Sequence, residues 1–213
     1  MNEYTLKQDI TSYKYPSHMI RPDGFFGSNF FEKWIPNWID KLSHISGNPN
    51  ITGIEIGCFN GDCSVFCAEK IANGKNSIHY IIDVNETPHL KNNISPYSNI
   101  KFIQGYSYEV LRKNFTVPKI ADYIYIDGSH MSIDVIQDSV LSWYLLKDNG
   151  IMIWDDYGWG IHTNDEKQKP KIAIDAFLSA YRDHYQILSN GWQIFIKKLP
   201  YTYSNEELNA NYQ

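Results

Sequence analysis

Apolar residues along this chain switch repeatedly between two rhythms. Short, dense apolar runs at 51–56, 79–84, 100–104, 121–126 and 151–154 read as buried strands. Between them, apolar residues recur at three- and four-residue steps, which predicts helices over 62–72, 108–114, 132–146 and 171–184. In the helix at 132–146 the spacing assigns Ile133, Ile136, Val140, Trp143 and Tyr144 to one buried side. Two further strands, 185–188 and 192–197, flank Ser189-Asn190-Gly191 and read as a hairpin. Ahead of all this lies a helical stretch over 29–43, with Phe30, Phe31, Trp34, Trp38 and Leu42 on one face, which Pro36 is expected to kink or split in two.

Strand–helix alternation implies a parallel sheet covered on both faces, wound through right-handed crossovers. The expected fold is α/β: a doubly wound, Rossmann-like, mostly parallel seven-stranded sheet closed by a C-terminal antiparallel hairpin. Residues 1–50 form an N-terminal arm and helical cover, with turns at Tyr15-Pro16 and Pro22-Asp23-Gly24. The domain itself covers 51–199, and 200–213 is a polar tail. No repeat or linker divides the chain.

Composition narrows the function classes. A formal net charge of -5 and the lack of a basic run argue against nucleic acid. No apolar run is long enough for a membrane span, and the first 15 residues lack the apolar core of a signal peptide. A cytoplasmic enzyme is therefore expected. Cys58, Cys63 and Cys67 are odd in number and match no zinc spacing, so they read as reduced thiols.

Open parallel sheets bind ligands beyond the carboxyl ends of their strands. After the first strand stands Glu55-Ile56-Gly57-Cys58-Phe59-Asn60-Gly61, a glycine bend opening into a helix. After the second stands Asp83, placed to accept ribose hydroxyls. Bend and acid together indicate a nucleoside cofactor. Asp127 follows the fourth strand, and Asp155 and Asp156 follow the fifth. Three carboxylates beyond neighbouring strands repel unless a proton or cation intervenes, and oxygen donors suit Mg2+. Each aspartate alone could equally cap a helix or pair with a base. His130 is either a proton acceptor or a partner for a loop carbonyl.

Glu55-x-Gly57-x-x-x-Gly61, Asp83 and Ile126-Asp127-Gly128-Ser129-His130 resemble class I S-adenosylmethionine-dependent methyltransferases. Asn149 to Gly158 and Lys171 to Leu178 are similar to the macrocin-type, metal-dependent small-molecule O-methyltransferases. The resemblance implies that Glu55, Gly57, Cys58, Phe59, Asn60, Gly61 and Ser64 hold the methionine end of the cofactor. It implies the ribose and adenine near Asp83, Val84, Tyr106, Ser107 and Asp127. It implies Mg2+ on Asp127, Asp155 and Asp156, and His130 as the base. Tyr157, Trp159 and His162 either line an acceptor pocket or pack. The acceptor implied is a small-molecule or sugar hydroxyl. In relatives a region like 1–50 covers the acceptor or forms a dimer contact, which leaves a second copy of the chain open as a partner. A cephalosporin-hydroxylase-like enzyme and a non-catalytic cofactor-binding module are the competing readings.

Overall fold

A computed structural model describes residues 13–21 and 30–201. The expected turn at Pro22-Asp23-Gly24, the start of the first helix at Asn29 and most of the polar tail lie outside these residues.

Seven strands form one sheet: β1 (Thr52–Ile56), β2 (Ile78–Asp83), β3 (Ile100–Gln104), β4 (Ala121–Ile126), β5 (Leu146–Trp154), β6 (Tyr185–Asn190) and β7 (Ile194–Lys198). Their order is β3-β2-β1-β4-β5-β7-β6. The first five strands pair parallel, and β7 runs antiparallel to both β5 and β6. The winding reverses between β1 and β4, so their carboxyl ends flank the crevice where such sheets take a ligand.

Among the described residues six helices cover the sheet: α1 (Ile35–Leu42), α2 (Asp62–Lys70), α3 (Pro88–Ile94), α4 (Ser107–Asn114), α5 (Ser132–Leu145) and α6 (Pro170–Ala180). Alternation along the strands sorts the core into two layers. Ile54, Ile56, Ile124 and Trp154 point to the side of α4, α5 and α6. Tyr123, Tyr125, Ile153 and Phe195 point to Trp38, Leu42 and Phe66 of α1 and α2.

Several expectations need correction. At Pro36 the stretch is divided rather than kinked: a 3-10 turn at Glu32–Trp34 precedes α1, and Pro36 lies in the first turn of α1, where no N–H is required. Phe30 is exposed, although Phe31, Trp38 and Leu42 are buried. α3 was not foreseen: Thr87 caps it by accepting from the Leu90 N–H at 3.0 Å. β5 begins at Leu146, with a register irregularity opposite 121–123, and α6 ends at Ala180.

The buried face of α5 also differs. Val135, Asp138, Ser139, Ser142 and Leu145 are buried, whereas Ile133, Val140 and Tyr144 are exposed. Small polar residues carry this contact because the sheet beneath presents a polar group: Trp154 Nε1 donates to the Ser139 hydroxyl at 2.8 Å. Ser139 in turn donates to the Val135 carbonyl at 2.6 Å.

Candidate active site

Backbone pairing continues past the strand ends and fixes the residues that follow. The Gly57 N–H donates to Ile82 O at 2.8 Å, Asp127 N–H to Ile56 O at 2.8 Å, and Asp155 N–H to Ile126 O at 3.0 Å. Gly57 has φ +82°, a conformation side chains disfavour, and a Cβ there would strike the Asp127 carbonyl and Gly128. The bend after β1 therefore lies directly against the turn after β4.

Asp83 holds that bend from the side. Its Oδ2 accepts from the Cys58 N–H at 3.0 Å and the Phe59 N–H at 3.1 Å, while Oδ1 accepts from the Asn85 N–H at 3.1 Å. Phe59 itself sits at φ 43° and Asp156 at φ 58°, two strained non-glycine residues at one site.

These turns enclose a cleft of about 290 Å³. Of the expected cofactor residues, Glu55, Gly57, Cys58, Phe59, Asp83 and Asp127 line it. Others support it from behind. Asn60 accepts from Thr87 at 3.1 Å, Gly61 caps α2 at φ 87°, and Ser64 donates to Glu55 at 2.8 Å. Val84 and Tyr106 are exposed and lie outside the lining. Ser107, also outside it, hydrogen-bonds Asp138 of α5. Burial pushes the Cys58 and Cys63 thiols up, so neither is an activated nucleophile. All three cysteines are buried and free.

The carboxylate trio is gathered, but not as a three-ligand centre. Tyr125 donates toward Asp155 Oδ2 at 2.5 Å and Asp127 Oδ2 at 2.9 Å. Asp155 also accepts from Gln193 Nε2 at 2.8 Å on Oδ2 and from the Asp156 N–H at 2.7 Å on Oδ1. Both oxygens of Asp155 thus serve the protein, and it does not line the cleft. Of the three expected metal ligands, Asp127 and Asp156 face the cleft and Asp155 does not; among the described residues no group of three or more such side chains is arranged for an ion. Burial, then the neighbouring Asp155 and Asp156 charges, push the Asp127 carboxyl well above the usual carboxylate range.

His130 Nε2 lies 2.8 Å from Asp156 Oδ2, and its ring meets Trp159 at a centroid distance of 4.1 Å. Trp159 lines the cleft. Tyr157 does not: its hydroxyl donates to Asp175 of α6 at 2.8 Å and accepts from Lys171. His162 is exposed and outside the lining.

Sequence reasoning missed one wall. Arg21 of the arm reaches the cleft and pairs with Glu32 at 2.7 Å and Asp62 at 3.3 Å. Asn93, fully buried on α3, ties the arm down: Oδ1 accepts from the Ile20 N–H at 2.7 Å, and Nδ2 donates to Ile20 O at 3.0 Å and Asn60 O at 2.8 Å. Asp62 Oδ1 is buried at the cleft with no hydrogen-bond partner among the described residues. An orphaned carboxylate oxygen, a guanidinium and a side-chain-free bend fit the charged amino-acid end of S-adenosylmethionine, and the acid after β2 fits its ribose.

Residues 54–157 match a family model described as a methyltransferase domain. This stretch is similar to methyltransferase domains, and the sheet that it forms has the fold of class I methyltransferases. An uncharacterized protein of Acanthamoeba polyphaga mimivirus is 27% identical over 126 residues, 56% of this chain and 57% of that one. The fold matches MycE, a methyltransferase of the mycinamycin biosynthetic pathway solved with Mg, SAH and mycinamycin VI (TM-score 0.62, 16% identity, 98% of this chain and 58% of that chain). It also matches an O-methyltransferase from Bacillus cereus in complex with SAH (TM-score 0.60, 13% identity, 94% of this chain and 92% of that chain). The chain spans less than two thirds of the length of the mimivirus and MycE proteins. Among the described residues no helix is long and apolar enough to cross a membrane.

Proposed function

We propose that the chain transfers a methyl group from S-adenosylmethionine to a hydroxyl oxygen of a small molecule or sugar. One observation carries the reading: the bend held by Asp83 and the His130–Asp156 pair open into the same cleft.

S-adenosylmethionine, when bound, supplies an electrophilic methyl carbon on a positively charged sulfur. The protein's work is to position and to move one proton. With its Nε2–H donated to Asp156, His130 accepts the proton of the acceptor hydroxyl at Nδ1, and Asp156 stabilises the imidazolium that forms. Trp159 packs on the His130 ring and restricts its orientation. Asp127 and Asp156 fit Mg2+, which takes one or two protein carboxylates and completes its shell with water and substrate oxygens. Such an ion would lower the proton affinity of a coordinated hydroxyl. MycE, which shares the fold, was solved with Mg.

The test is product mass. Purified chain, S-adenosylmethionine and a panel of hydroxylated small molecules and sugars should yield a product heavier by one CH2 unit, with S-adenosylhomocysteine released. Gain of one oxygen instead, or failure to bind S-adenosylhomocysteine in calorimetry, would overturn the reading.

A further inference from the structure

A row of polar side chains crosses the α1/α2 face of the sheet. Glu55 on β1, His79 on β2 and Tyr123 on β4 are 1%, 0% and 0% exposed. His79 Nε2 lies 2.8 Å from Glu55 Oε2, and its Nδ1 lies 3.0 Å from the Tyr123 hydroxyl. With the ring proton on Nε2, each donor finds an acceptor: Tyr123 O–H donates to Nδ1, and Nε2–H donates to Glu55. Ser64 of α2 donates to the same Oε2 at 2.8 Å.

The row is made possible by a missing side chain. A Cβ on Gly53 would collide with the Tyr123 ring and come within 2.6 Å of His79 Nδ1. Burying three polar groups in a sheet core is costly, and apolar residues would pack the same space at less cost. The row ends at a functional surface, because Glu55 also lines the cleft, beside Arg21 and the orphaned Asp62 oxygen.

We infer that His79 and Tyr123 are positioning residues for the amino-acid end of the cofactor. They load Glu55 Oε2 from behind and fix the carboxylate so that Oε1 meets the cofactor's ammonium group. A chain of hydrogen bonds polarises along its length, and a carboxylate already locked in place loses no rotamer freedom on binding. This rests on the S-adenosylmethionine reading above. Neither residue touches the reacting atoms.

The experiment compares two ligands by isothermal titration calorimetry. S-adenosylhomocysteine carries the amino-acid group; 5′-methylthioadenosine has the same nucleoside but lacks it. Tyr123→Phe keeps the ring beside Gly53 and removes the hydroxyl; His79→Gln removes the relay. S-adenosylhomocysteine affinity is expected to fall about 10-fold in Tyr123→Phe and about 10- to 100-fold in His79→Gln. Affinity for 5′-methylthioadenosine should stay unchanged in Tyr123→Phe, the variant least able to disturb folding. Unchanged S-adenosylhomocysteine affinity in Tyr123→Phe, or equal loss of both ligands, overturns the inference. Wild-type protein that binds neither ligand overturns the cofactor reading instead.

Discussion

Tyr125 sets its hydroxyl 2.5 Å from the Asp155 carboxylate, and the same oxygen lies 2.9 Å from Asp127. One phenol has one proton to donate, so it cannot satisfy two carboxylates at once. Burial, then the charge of neighbouring acids, pushes both carboxyls up, so the pair favours a shared proton or a cation. Replacing Tyr125 with Phe should cost about 1–3 kcal/mol at neutral pH, because it removes the single O–H that the two buried carboxylates share. Urea denaturation measures the loss; a midpoint equal to wild type would refute it.

Magnesium should answer the same need from outside. In excess it is expected to raise the melting temperature of the wild-type protein by a few degrees, since it binds only the folded state. Asp156→Asn should abolish that rise. Asp155→Asn should lower the starting stability yet keep the rise, because Asp155 faces the protein. Thermal melts with and without the ion separate these outcomes.

His130→Ala should lower kcat by about 10²- to 10⁴-fold, the usual contribution of a positioned proton acceptor. S-adenosylhomocysteine affinity should change little. Single-turnover kinetics alongside calorimetry checks both halves, and retained turnover would remove His130 from the mechanism.

Asp138 makes a prediction about pH. Burial pushes its carboxyl up to about 7, against the lowering hydrogen bond from Ser107, and its Oδ1 has no hydrogen-bond partner among the described residues. The folded state then holds a proton that the unfolded chain has already released. Stability should consequently fall as pH rises from about 4 to about 7. Asp138→Asn cannot ionise and should flatten this slope, with a difference at pH 8 on the order of 2–4 kcal/mol. Denaturation curves at pH 5 and pH 8 test it; identical slopes in the two proteins would contradict it.

Much of the fold was legible because parallel strands buried on both faces are continuous apolar runs, and the helices between them are amphipathic. The faces of the helices were less legible. On α5 the contact is made by Ser139, Ser142 and Asp138, which no hydrophobic count would choose. α3 buries only Leu90 and Asn93, too little for a periodic signal, although Thr87-Pro88 announces its start. At the site, strand ends located Asp83, Asp127, Asp155 and Asp156 but not the direction of each side chain. Asp155 turns inward because Gln193, far along the chain on the hairpin, waits there with a donor. Arg21 was invisible for the same reason: Asn93 brings it in through contacts some 70 residues apart in sequence.

Gly57 ties these parts into one rigid piece. Its backbone presses on the peptide of Asp127 with no space even for a methyl group. The bend held by Asp83 and the turn that carries Asp127 therefore cannot slide independently; a nudge to either is felt at once by the other. An in-line transfer tolerates misplacement of only a fraction of an ångström, and here that tolerance is enforced by a hydrogen atom standing where every other amino acid carries a carbon.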